Sequence, residues 1–375
     1  MTAFEMMQRH YHQRDLAARE WKNKGGKVVG YFCNSVPEEL ILAAGLFPLR
    51  ISGDPWGSSE EIVKFIGPFY EEFVRSQLSM ILTGKYDFLD FIIIPRSKDS
   101  IAEQYTHLHQ IKYLEPSVEL PEIYLLDLMH RRSYMSGAYD LDRFRDLKKK
   151  LEEWSGRQIT PQSLSRSLAI TNENRELLKD MAALRTAEQP RISGMEALQI
   201  IGSSMFMLKE EHNKLLKEFL AGAEKLPVRE GARLFVEGSP LDNLQFYNLV
   251  ESCPATVIAE DNCWGNRYSD NLIDTDRDPM EAIAGRYHLN SPCPYVVFPA
   301  DLRTDYCINK VKESKAQGVI FYIFEWDGGA TWDYPDQKSA LEKEGVPTVL
   351  FKDQKYLLSE PGPLKTYIEK FIEAI

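Results

Sequence analysis

"KVVGYFCNSVPEELILAAGLFPLRIS", residues 27–52, sets out a strand, a polar turn, a helix and a second strand in immediate succession. "KVVGYF" is apolar without alternation, the pattern of a strand buried on both faces. Pro37 suits the first helical position, and Glu38 and Glu39 place negative charge in the first turn, where the helix dipole favours it. Gly45 closes the helix "PEELILAAGL", and "FPLRIS" extends again. Cys33 falls on the turn between strand and helix. A helix N-terminus shifts a thiol towards thiolate, which suits metal ligation or nucleophilic attack; an inert, half-buried thiol is the plain alternative.

The same grammar recurs along the chain. Residues 1–24 read as one leading helix, and "FIGPFYEEFVRSQLSMILTG" as a long amphipathic helix closing at Gly84. "YDFLDFIIIP" and "EIYLLDL" are further strands. From residue 138 to 226 the pattern is helical throughout, with Thr160-Pro161 an N-cap followed by proline at the first helical position. Strands and helices alternate again from 227: "ARLFVEGSP", "DNLQFYNLVES", "ATVIAED", a short strand in "YVVFPA", the helix "LRTDYCINKVKESKAQG", "VIFYIFEW", the helix "YPDQKSALEKEG", "PTVLFK" and a closing helix. Alternating strands and helices predict an α/β protein with parallel sheets covered on both faces. The expected units are residues 1–137, 138–226 and 227–375. The first and last resemble each other in plan, "VVGYFCNSVPEEL" answering "RLFVEGSPLDNL" and "DFIIIPRSKDS" answering "VIFYIFEWDGG".

Composition narrows the function. The formal net charge of −11, with no basic stripe to offset it, argues against a nucleic-acid partner. No apolar run approaches the ~20 residues needed to cross a bilayer. The start "MTAFEMMQRHYHQRD" has no signal-peptide core, so a cytoplasmic location is expected. Five cysteines (Cys33, Cys253, Cys263, Cys293, Cys307) without a CxxC pair read as free thiols of a reducing compartment. Phosphate loops, HExxH, GxSxG and dinucleotide fingerprints are all missing.

In parallel sheets, ligands collect at the carboxyl ends of strands. Here those ends are residues 33–35, 96–100, 237–239, 260–267 and 325–329. In "PRSKDSIAEQY", Asp99 or Ser100 can cap a helix while Arg96 and Lys98 add positive charge for an anionic group, or are simply solvated. In "AEDNCWGNRY", Glu260 or Asp261 with Arg267 can form a buried pair that holds the loop, or Trp264 and Arg267 can touch a ligand. "EWDGGATWDYP" gathers Glu325, Asp327 and Asp333 with Trp326 and Trp332, a set suited to acid–base chemistry or to contact with another subunit.

These ordered motifs, together with "LEEWSGRQITPQSLSRSLAITNENRELL", resemble the 2-hydroxyacyl-CoA dehydratase subunits and the related non-ATPase subunits of ATP-dependent benzoyl-CoA reductase, over nearly the whole chain. The resemblance implies two Rossmann-like parallel-sheet subdomains with a helical segment between them. It also implies a heterodimer with a paralogous subunit, and a separate ATP-hydrolysing iron–sulfur activator that feeds electrons to an acyl-CoA substrate for radical chemistry. In that family three cysteines, one from each of three strand-end loops, hold a [4Fe-4S] cluster.

Cys33 stands in the first of those positions. Lys98 stands in the second and Trp326 approximately in the third. Neither an ammonium nor an indole N–H can replace a thiolate; Cys263, on another strand-end loop, is the remaining thiol that could contribute. The expectation is a subunit of a low-potential acyl-CoA complex, most like a benzoyl-CoA reductase, with the [4Fe-4S] cluster carried by the partner subunit. Arg96, Lys98 and Trp326 would line the vacated cavity, with Trp264, Arg267 and Glu325 at the cleft. The alternatives are a beta-type subunit that eliminates water from a 2-hydroxyacyl-CoA and a scaffold that has lost the chemistry.

Overall fold

The computed structural model describes residues 1–290, 293, 295 and 298–375. Two four-stranded parallel sheets organise it. The first contains β1 (Val28–Tyr31), β2 (Phe47–Arg50), β3 (Phe91–Pro95) and β4 (Glu122–Leu126) in the order β2-β1-β3-β4. The second contains β5 (Ala232–Gly238), β6 (Ala255–Asp261), β7 (Gly318–Phe324) and β8 (Thr348–Gln354) in the order β6-β5-β7-β8. The two orders are the same pattern, so the likeness between the halves is a repeat of topology.

The apolar strands are explained by what lies on their two faces. Val28, Ile92 and Ile94 of the first sheet and Leu234, Val236, Ile320 and Tyr322 of the second enter one shared core. Their neighbours turn outward: Val29, Tyr31 and Ile93 meet the helices behind the first sheet, while Phe235, Val319 and Phe321 pack behind the second. Burial on both faces removes the period-2 signal.

The helix Pro161–Thr186 fastens to both halves. Thr160 caps it by accepting from Ser163 N at 3.1 Å, with Pro161 at the first helical position. Arg175, fully buried, pairs with Glu39 in the helix after β1, and Arg185 grips Glu260 of β6 through two bonds of 2.6 and 3.0 Å.

Several predicted elements have different bounds. The leading helix is two helices, Ala3–His12 and Leu16–Asn23. The long helix expected to close at Gly84 is interrupted: Gly67 takes φ +76° after Val63–Ile66, Pro68 cannot donate a helical hydrogen bond, and the chain re-enters a helix only at Glu72. "YPDQKSALEKEG" forms part of a helix that begins earlier, at Gly328, because Asp327 accepts from Ala330 N and caps it. In "YVVFPA", Val296 and Val297 lie outside the described residues, and Phe298 makes an isolated bridge to Arg131. Among the described residues no helix is long and apolar enough to cross a membrane.

Candidate functional site

In each sheet the chain steps from the first strand to one side and then crosses to the other. The switch points therefore lie between the carboxyl ends of β1 and β3 and of β5 and β7, where crevices form. Cys33 follows β1, Lys98 follows β3, Ser239 follows β5, and Trp326 with Asp327 follows β7. Both Cys33 (φ +57°) and Trp326 (φ +69°) hold the left-handed backbone that side chains rarely adopt. Each crevice thus carries one residue in this strained geometry, after β1 in the first sheet and after β7 in the second.

Cys33 has found its neighbours. Its thiol accepts from Ser97 Oγ at 3.4 Å. Burial, reinforced by the facing Cys263 and Cys293, pushes it up to about 12, so it is a protonated thiol at neutral pH. Cys263 is held by Arg50, which donates to its Sγ at 2.9 Å and to its carbonyl at 2.7 Å. Asn34 also reaches that carbonyl, at 2.8 Å. Trp264 is part of this support: it is buried beneath the Arg50 guanidinium, 3.9 Å from its ring centre. Cys293 was not singled out by the sequence, because only folding brings it near Cys33 and Cys263. Arg50, a charge ending an apolar strand, was the available signal for a buried polar role.

Lys98 is deeply enclosed. Its ammonium lies 3.0 Å from Asp327 Oδ1, also pairs with Glu71, and stands 4.6 Å from the centre of the Tyr295 ring. Burial alone would lower its pKa; Asp327 and Glu71 outweigh that and hold it above the ordinary value. Asp327 stays low despite burial because Lys98, Tyr295 and Ser239 all favour its charged form, whereas burial keeps Glu71 raised. The sequence offered no pointer to Glu71, which comes from a separate loop.

The other predicted residues are dispersed. Arg96 points outward and pairs with Asp127 at 3.1 Å. Glu325 forms a surface pair with Lys355, and Asp333 is taken by Arg303. The three acids of "EWDGGATWDYP" therefore serve three different cations. Trp326 is half-exposed at the cleft mouth, edge-on to Phe69 at 5.1 Å. Arg267 is buried and binds Asp261 through Nε at 2.7 Å, the loop-holding pair considered from the sequence.

A true carboxyl pair exists elsewhere. Glu237 ends β5 beside Asp261, the two being 6% and 3% exposed. Burial, then the neighbouring Asp261 charge, raises Glu237 well above the carboxylate range, and burial raises Asp261 as well against the pull of Arg267. The sequence concealed this pair because its members are on different strands.

A [4Fe-4S] cluster at the three strand-end positions would need three thiolates, and Cys33 supplies one. The Lys98 ammonium and its two carboxylates fill the second position, and Trp326 turns its indole to the mouth. Among the described residues no three His, Cys, Asp or Glu side chains converge on a metal site. At those three positions the residues present do not fit the cluster.

The fold and site define an α/β protein with twin parallel sheets whose switch points meet across a thiol- and charge-lined cleft. Residues 33–375 match the 2-hydroxyglutaryl-CoA dehydratase D-component family, and the chain belongs to that family. It is 25% identical to the (R)-phenyllactyl-CoA dehydratase beta subunit of Clostridium sporogenes, over 95% of this chain and 94% of the relative. It is 27% identical to a benzoyl-CoA reductase subunit of Thauera aromatica, over 90% and 88%. Identity to the (R)-2-hydroxyglutaryl-CoA dehydratase beta subunit of Acidaminococcus fermentans is 24%, over 95% and 94%. These relatives are all subunits of enzymes that act on CoA thioesters.

Proposed function

We propose that this chain is a cytoplasmic subunit of an ATP-driven, low-potential radical enzyme complex acting on an acyl-CoA, most like a benzoyl-CoA reductase. A paralogous partner holds the [4Fe-4S] cluster and an ATP-hydrolysing iron–sulfur activator supplies the electrons. The observation that carries the reading is the Lys98–Asp327 pair at the switch-point crevice, where the family resemblance calls for thiolates. With its ligand set broken, this chain shapes the cleft and the contact with its partner. Cys33, Lys98 and Trp326 belong to the cleft, while Arg96 and Glu325 belong to its outer rim.

The test is turnover by the complex reconstituted anaerobically from this chain, its paralogous partner and the activator with ATP. Ring reduction of an aromatic CoA thioester supports the reading. Loss of water from a 2-hydroxyacyl-CoA instead makes the chain a dehydratase beta subunit. Undiminished activity when this chain is omitted refutes a role in catalysis.

A further inference from the structure

The positions of the two absent thiolates are rebuilt rather than emptied. Glu71 precedes the helix Glu72–Leu82 and Lys98 the helix Asp99–Leu114, both in the first half. Ser239 and Asp327 follow β5 and β7 in the second half, and Tyr295 joins them. The Lys98 ammonium bridges Glu71 and Asp327, and the exposure of the three side chains is 10% or less. Asp327 accepts from Tyr295 OH at 2.5 Å and from Ser239 Oγ at 2.7 Å. Phe73 and the Tyr295 ring wall the ammonium, at 5.7 and 4.6 Å. A lysine buried this deeply survives only where a carboxylate and hydrogen bonds compensate its lost hydration.

We propose that this network is a clasp joining the two halves across the cleft, so that charge pairing, in place of a metal centre, holds this chain's crevice shut. One ammonium faces one ionised carboxylate, Asp327. The second carboxyl, Glu71, is raised by burial and by the neighbouring Asp327 charge, against the pull of Lys98. Lys98 and Asp327 come from opposite halves, and parting the sheets breaks the pair. The clasp deepens the proposed function by excluding iron as the element that closes this chain, and it rests on the family reading only for the naming of the positions.

Hydrogen exchange of the full-length chain tests it, read at residues 66–73 and 325–330, for wild type, Lys98→Met, Asp327→Asn and the double variant. Each single variant is expected to speed exchange there at least tenfold. The double variant should add less than threefold to either, because both remove the same interaction. An iron chelator in air should leave the wild type unchanged. Independent, multiplying effects of the two substitutions overturn the clasp, as does opening by the chelator. If Lys98→Met fails to fold, Asp327→Asn, which keeps a polar group for Tyr295 and Ser239, must by itself speed exchange tenfold; unchanged exchange refutes the proposal. Turnover by the reconstituted complex is measured separately, so loss of the clasp and loss of the acyl-CoA reading are distinguishable.

Discussion

Replacing Glu237 with glutamine should stabilise the protein at neutral pH, although it alters a buried group at the end of a core strand. Glu237 is 6% exposed and lies beside Asp261, which Arg267 already holds. Its raised pKa means that the folded chain keeps the Glu237 proton where the unfolded chain releases it. The stability this confers is complete below the ordinary value of 4.5 and is lost as pH rises towards the folded value. Each pH unit over which the folded chain retains the proton costs about 1.4 kcal/mol. Glutamine has nothing to ionise, and its amide N–H can donate to the neighbouring Asp261. Glu237→Gln should therefore match wild type in urea unfolding near pH 5 and exceed it increasingly as pH rises, by about 1.4 kcal/mol for each unit over which the wild type keeps its proton. The difference between the two proteins isolates this group from others that titrate. A variant that is less stable than wild type by the same amount at pH 5 and pH 8 would refute the reasoning.

Arg185→Met should lower stability by about 3–5 kcal/mol, since it leaves Glu260 buried without its cation; thermal or urea unfolding reads this directly. His212 is buried with Nε2 against the Ile200 carbonyl and Nδ1 facing the Asn174 amide, and burial lowers it to about 3. Folding therefore requires neutral imidazole, so stability is full above pH 6.5 and falls as pH drops towards 3. Urea unfolding between pH 7 and 5 should show a slope that His212→Gln reduces. Thr160→Ala removes the cap of the long central helix and should cost about 1 kcal/mol, with exchange at residues 162–164 accelerated most. Glu325→Gln, breaking only a surface pair with Lys355, should change unfolding by less than about 1 kcal/mol.

The strands and the repeated topology were readable because burial on both faces leaves uninterrupted runs such as "DFIIIP" and "VIFYIF". Helix ends were readable where local chemistry sets them, as at Thr160-Pro161 and Gly45. The break at Gly67-Pro68 lay inside an amphipathic pattern that masked it, and the early start at Gly328 depends on an Asp327 cap in a glycine pair that reads as a loop. At the site, the strand-end rule located Cys33, Lys98 and Trp326. It could not say which charges would meet. Lys98 is joined by Glu71, Tyr295 and Ser239 from three separate loops, and Glu237 by Asp261 from the next strand. Such pairings are products of topology, with no spacing in the chain to announce them. Conversely, the acids crowded into "EWDGGATWDYP" diverge, because a helix begins within the stretch and points its residues in different directions.

Under the proposed function this chain serves an acyl-CoA complex without holding a cluster of its own. The most direct measurement is the iron and acid-labile sulfide content, with the UV–visible spectrum, of the full-length chain after anaerobic reconstitution, alongside the paralogous partner treated identically. This chain should be colourless with no bound iron, and the partner brown with about four irons. About four irons per copy of this chain, with a thiolate-to-iron charge-transfer band, would contradict it.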